Sequence, residues 1–177
     1  MEQLATLESR DGTRTAIHFD SGSLAPAVRS GSVDAYLVAA EDGISPLGLN
    51  QDYLAKTLGV AHGEIGALSF WNRFENPRVS LVGLAARKPG SPLRGVVLCP
   101  SETSKSYASV ATPFSGKPCR DFYYRVTYAA IAYAVEVMGA RRLALSHLSA
   151  SGNFHEDIAT CNAEALAHYC DANPGRV

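Results

Sequence analysis

The spacing of hydrophobic positions changes along the chain, and the changes mark out strands and helices. Val33 to Ala40 is a nearly continuous apolar run, the pattern of a strand covered on both faces. Asp121 to Met138 brings apolar residues back at helical intervals, with Phe122, Val126, Ala129, Ala130, Tyr133 and Val137 on one face and Gly139 as the stop. Arg142 to Leu148 predicts a strand carrying Leu143, Leu145 and Leu148. The small-residue loop Ser149-Ala150-Ser151-Gly152 leads from it into a final helix, Phe154 to about Asp171, whose stripe is Ile158, Cys161, Ala165, Leu166 and Tyr169. A shorter helix is expected from about Asn50 to Leu58, closed by Gly59. Short apolar runs bounded by turn residues predict strands at Leu4–Leu7, Arg14–Phe19, Ile65–Trp71, Val79–Ala85 and Arg94–Cys99. The stretch Ser101–Cys119, rich in Ser and Thr, has no clear period and predicts a long loop, a kind that is usually functional or mobile.

Strand, tight loop and helix at these lengths make an α/β unit, and strands alternating with helices argue for a largely parallel core. The early strands, with no helix between them, argue for antiparallel edges in a mixed sheet. The expected core comprises Val33, Tyr36, Val38, Leu81, Val96, Leu98, Tyr133, Leu143, Leu145 and Ile158. Tyr123, Tyr124, Tyr128 and Tyr133 fall on one helix. Four aromatic rings cannot share one narrow stripe, which hints that part of that helix packs against a second copy in a homo-oligomer.

Composition narrows the function. The 177 residues suit one domain, and 46% hydrophobic with 19% charged residues is enough for a substantial core. Sixteen basic and seventeen acidic residues give a net charge of −1. Duplex nucleic acid and anionic membrane both call for a clustered positive excess, so neither is expected as a partner. The sequence has no apolar run of about 18 residues, the length needed to span a membrane. Met1 to Arg14 has no apolar secretory core, so the expected location is the cytoplasm. Cys99, Cys119, Cys161 and Cys170 lack the spacing of a zinc or redox motif and are expected as free thiols, mostly small buried hydrophobes. Cys119, in a polar loop just ahead of a helix, is the one placed where a thiolate would be favoured.

Chemistry in such a fold concentrates where strands hand over to helices, because the crevice at the carboxyl ends of the strands exposes helix N–H groups to anions. Two junctions have the small residues that allow close backbone approach: Ala39 to Leu49, with Gly43, Pro46 and Gly48, and Ser149 to Phe154, with Gly152. Asn153 and Glu156 form a capping box at the second, and Asp157 adds negative charge to the same helical turn. His147, Ser149, Ser151, His155 and Asp157 crowd this region and contain the residue types of a hydrolytic triad, but no Gly-x-Ser-x-Gly elbow is present. A metal site from His147, His155, Glu156 and Asp157 has irregular spacing, and neither a metal nor a cofactor is expected. Lys105, Lys117, Arg120 and Arg125 flank the long loop as a modest basic cluster or a solvated face, while His62 and His168 suit surface or satisfied core positions.

The run Asp34-Ala35-Tyr36-Leu37-Val38-Ala39-Ala40-Glu41, followed by Gly43, Gly48 and the helix ending at Gly59, resembles the macrodomain segment Asp-Ala-Ile-Val-Asn-Ala-Ala-Asn with its glycine-rich loop and short helix. The closing stretch RRLALSHLSASGNFHEDIATCNAEAL is similar to the strand, phosphate loop and final helix of the same family. The resemblance implies a three-layer α/β/α sandwich with a mixed, largely parallel sheet of about six strands. A leucine aminopeptidase N-terminal domain, which resembles a macrodomain without the ligand loops, shares this architecture. Carried over by position, Ser151, Gly152, Asn153 and Phe154 surround the distal phosphate and ribose of an ADP-ribose-like ligand, with Ser149 at the start of that loop. Gly43 and Gly48 lie beside the distal ribose, and Asp20 is the nearest counterpart of the acidic residue that holds adenine. The family's two strand asparagines are replaced by Val38 and Glu41, and its glycine run by GISPLG. The resemblance therefore implies a binding module for a small nucleotide-like ligand. Its alternatives are a structural or interaction domain, and a hydrolase using Glu41 or the His147, His155 and Asp157 group as general base.

Overall fold

The apolar run at 33–40 becomes the middle of a sheet. The computed structural model describes residues 2–8, 12, 14–19, 30–40, 51–60, 82–100, 120–145 and 156–177. In chain order these hold β1 (Glu2–Glu8), β2 (Arg14–Phe19), β3 (Ala35–Ala40), α1 (Gln51–Leu58), β4 (Val82–Ala85), β5 (Gly95–Pro100), α2 (Arg120–Ala132), β6 (Leu143–Leu145) and α3 (Glu156–Ala172). The fold is mixed α/β.

Among the described residues, four strands form one sheet in the order β4-β5-β3-β6. β3 runs parallel to both β5 and β6, whereas β4 is antiparallel to β5, so the sheet is mixed, with its antiparallel edge at β4 rather than at the early strands, where the sequence pattern predicts such edges. β1 and β2 pair with each other in a separate antiparallel ribbon. The strand expected at Ile65–Trp71 lies outside the described residues, as does Leu81.

Alternation along β3 divides the core in two. Ala35, Leu37 and Ala39, with Val97 and Cys99 of β5, meet Phe122, Val126, Ala130, Ile131 and Ile158 of α2 and α3. Tyr36 and Val38, with Val96 and Leu98, meet Leu58 at the end of α1. Both middle strands are thus covered on both faces, which is why their sequences show no polar alternation. Leu143 and Leu145, expected in the core, are only half-buried, because β6 has a single strand partner among the described residues.

α2 does not stay α-helical to Met138. From Tyr133 to Val137 the chain follows a π-helix, and the Met138 N–H donates to the Tyr133 carbonyl five residues back, at 3.2 Å. The wider turn takes up one extra residue and rotates everything after it around the axis. Val137, predicted on the buried stripe, is consequently 65% exposed, and Met138 packs against the core instead. Gly139, at φ 70°, then ends the helix where the sequence places its stop. Tyr133 is half-buried, with its ring so close over Gly83 of β4 that a methyl group there would overlap it.

α2 and α3 lie side by side. The Thr127 hydroxyl donates to Asn162 Oδ1 at 2.7 Å in the buried seam between them. Tyr124 stacks on Tyr128, and Tyr128 meets the edge of Tyr169 on α3. Tyr123 is fully buried. All four tyrosines that crowd α2 and its extension therefore have contacts within the chain.

Candidate functional site

β3 and β6 are parallel neighbours, registered Ala35 to Leu143 and Leu37 to Leu145, so the chain leaves both at the same edge of the sheet. The helices that follow them go to opposite faces. α1, after β3, contributes Leu58 and Ala55 to the Tyr36 and Val38 side. α3, after β6, contributes Ile158, Cys161 and Tyr169 to the Leu37 side. Adjacent parallel strands whose next helices diverge in this way create a topological switch point, and the crevice of an open α/β sheet forms beyond the carboxyl ends of such a pair.

The two segments that begin at this switch point, 41–50 and 146–155, are the ones that carry the predicted site. Glu41, Gly43, Gly48, His147, Ser149, Ser151, Gly152, Asn153, Phe154 and His155 all lie outside the described residues, as does Asp20. Asp157 is described, half-buried in the first turn of α3 behind the exposed Glu156.

What surrounds Asp157 is a charged corner joining the starts of α2 and α3. Arg120, the first residue of α2, reaches Glu164 of α3 at 3.2 Å, with about half of each side chain exposed. An ion pair this open contributes little to stability. A hydrogen bond to Cys161 chiefly, then the charges of Glu164 and Asp157, raises the Arg120 guanidinium above its ordinary value. Arg120 is thus committed to α3. Its link to this corner spans 44 residues of sequence, and no local spacing announces it.

Among the described residues the cysteines give no nucleophile in this region; Cys119, the position expected to favour a thiolate, lies outside the described residues. Burial pushes the Cys161 thiol up, and the opposing pull of Arg120 does not reverse the direction. Cys99 is fully buried in β5, and desolvation drives its thiol far above the ordinary range. Cys170 is buried as well. A raised thiol pKa and a closed surface both suppress attack by a thiolate. Titration of the native protein with a thiol-reactive disulfide at pH 8 is expected to leave Cys99, Cys161 and Cys170 unmodified. Mass spectrometry should find them labelled only after denaturation; native labelling of Cys161 would show that Arg120 activates it.

Among the described residues, no three of His, Cys, Asp and Glu come together as a metal site. His168 is exposed, and its Nδ1 lies 2.8 Å from the Tyr124 hydroxyl, so it is hydrogen-bonded at the surface. No helix among the described residues is long and apolar enough to cross a membrane.

A titratable contact ties α3 to the π-helical turn. The Tyr169 hydroxyl donates to Glu136 Oε1 at 3.3 Å. Burial first, and the Glu136 carboxylate second, push the Tyr169 phenol up to about 12. An unfolded tyrosine titrates near 10, so the folded state holds this proton more tightly. The resulting stabilisation is complete below about pH 10 and disappears as the pH rises through about 12. Urea midpoints measured from pH 9 to 12 should therefore fall more steeply for the wild type than for Tyr169→Phe. Parallel slopes would mean that Tyr169 ionises as freely in the fold as out of it.

No known family model matches this chain, and no curated protein is detectably similar to it.

Proposed function

We propose that the chain is a macrodomain-like binding module, a three-layer α/β/α sandwich with a mixed, largely parallel sheet of about six strands. The crevice at the carboxyl ends of β3 and β6 takes an ADP-ribose-like or other nucleotide metabolite. Gly43 and Gly48 line one wall, and Ser149, Ser151, Gly152, Asn153 and Phe154 line the other, with Asp20 at the adenine end. Backbone N–H groups supply the anion contacts, and no metal is required.

The observation that carries this reading is the divergence of α1 and α3 to opposite faces after the neighbouring strands β3 and β6. It supports a crevice bordered by the same two segments that the small-residue pattern singles out.

One observation favours a second reading, a structural or protein-interaction domain. The first turn of α3 already carries Glu156 and Asp157, whose charges oppose a phosphate at that helix end.

Calorimetry separates the two. Titration with ADP-ribose, alongside AMP, ADP and NAD, is expected to give micromolar affinity for ADP-ribose and weaker binding of AMP. Gly152→Glu should lower the ADP-ribose affinity by at least about 100-fold, on the order of 2.7 kcal/mol, because it adds a third carboxylate to a phosphate-facing loop. Its thermal unfolding should match the wild type. Absence of heat from every ligand at millimolar concentration would transfer the assignment to the interaction domain, and normal binding by Gly152→Glu would remove the crevice assignment.

A further inference from the structure

We draw no further inference here: the strongest candidate, the group of exposed arginines Arg94, Arg141, Arg142 and Arg176 at the amino-terminal edge of the sheet, carries nothing because Arg142 faces Asp34, Arg141 donates to the Gly175 carbonyl beyond the end of α3, the ends of two helices offset the remaining charge, and nothing among the described residues points to a ligand there.

Discussion

Leu37→Ala is expected to lower the free energy of unfolding by about 3–4 kcal/mol, against about 1–2 kcal/mol for Leu145→Ala. The two leucines are register partners on neighbouring strands, so the substitution is chemically the same at both. Their surroundings differ. Leu37 has no exposed surface and sits in the core that β3 shares with α2 and α3. Removing its side chain leaves a cavity that close-packed neighbours on both flanking strands cannot fill. Leu145 is half-buried, so its truncation loses less apolar contact and water can take up part of the space. A domain of this size has roughly 5–15 kcal/mol of net stability, so Leu37→Ala alone removes a large share of it. Urea denaturation with an unchanged slope would measure both values. Equal losses at the two positions would mean that β6 is covered as fully as β3, and the order β4-β5-β3-β6 would then be incomplete beside β6.

The contrast between these leucines also shows what the sequence makes legible. Local pattern sufficed for β3, β5, α1 and α3, because a buried parallel strand and an amphipathic helix each leave a period that a few residues reveal. Pattern could not tell Leu143 and Leu145 from Leu37, since burial depends on how many strands lie beyond, which is a long-range property. The exposure of Val137 was hidden for another reason. A single π-helical turn changes the phase of the helix without changing its residue types. Tyr133 over Gly83 and Arg120 against Glu164 are likewise contacts across the fold, 50 and 44 residues apart, with no short-range signature.

For the candidate site, the split was similar. The small residues after β3 and β6 single out two segments, and the placement of α1 and α3 on opposite faces is what supports the proposal of a crevice at the strand ends where those segments begin. Asp157 illustrates the difference between composition and placement. In sequence it stands among histidines and serines of hydrolytic type. In the fold, its described electrostatic neighbours are Arg120 and Cys161, one committed to Glu164 and the other a buried thiol.

Asp34→Ala is expected to cost about 2–3 kcal/mol, and Asp34→Asn about 1 kcal/mol. The carboxylate is largely buried at the amino-terminal edge of the sheet, where it accepts from the Arg142 N–H at 2.8 Å and the Arg141 N–H at 3.1 Å. Its backbone completes the junction: the Asp34 N–H donates to the Arg142 carbonyl, and the Asp34 carbonyl accepts from the Arg94 N–H. One residue thereby sets the entry of β5, β3 and β6 together. Alanine keeps the backbone bonds but leaves two amides without their charged acceptor, a loss of charge-assisted hydrogen bonds. Asparagine retains an oxygen that can accept from both amides and loses the charge. The Arg142 guanidinium, 3.7 Å from the carboxylate and 60% exposed, adds little to either difference. Denaturation midpoints for the two variants therefore test one cause, the capture of the β6 entry by the side chain that immediately precedes β3. If alanine costs no more than asparagine, the backbone bonds alone hold that entry. If both are severe, Asp34 acts through its charge rather than through its geometry. The expected ordering, with asparagine close to the wild type, would establish that the alignment of β3 with β6 is fixed from the end of the sheet opposite the proposed crevice. On the proposed reading, substitutions in the segments that follow β3 and β6 then change ligand affinity without disturbing the strands themselves.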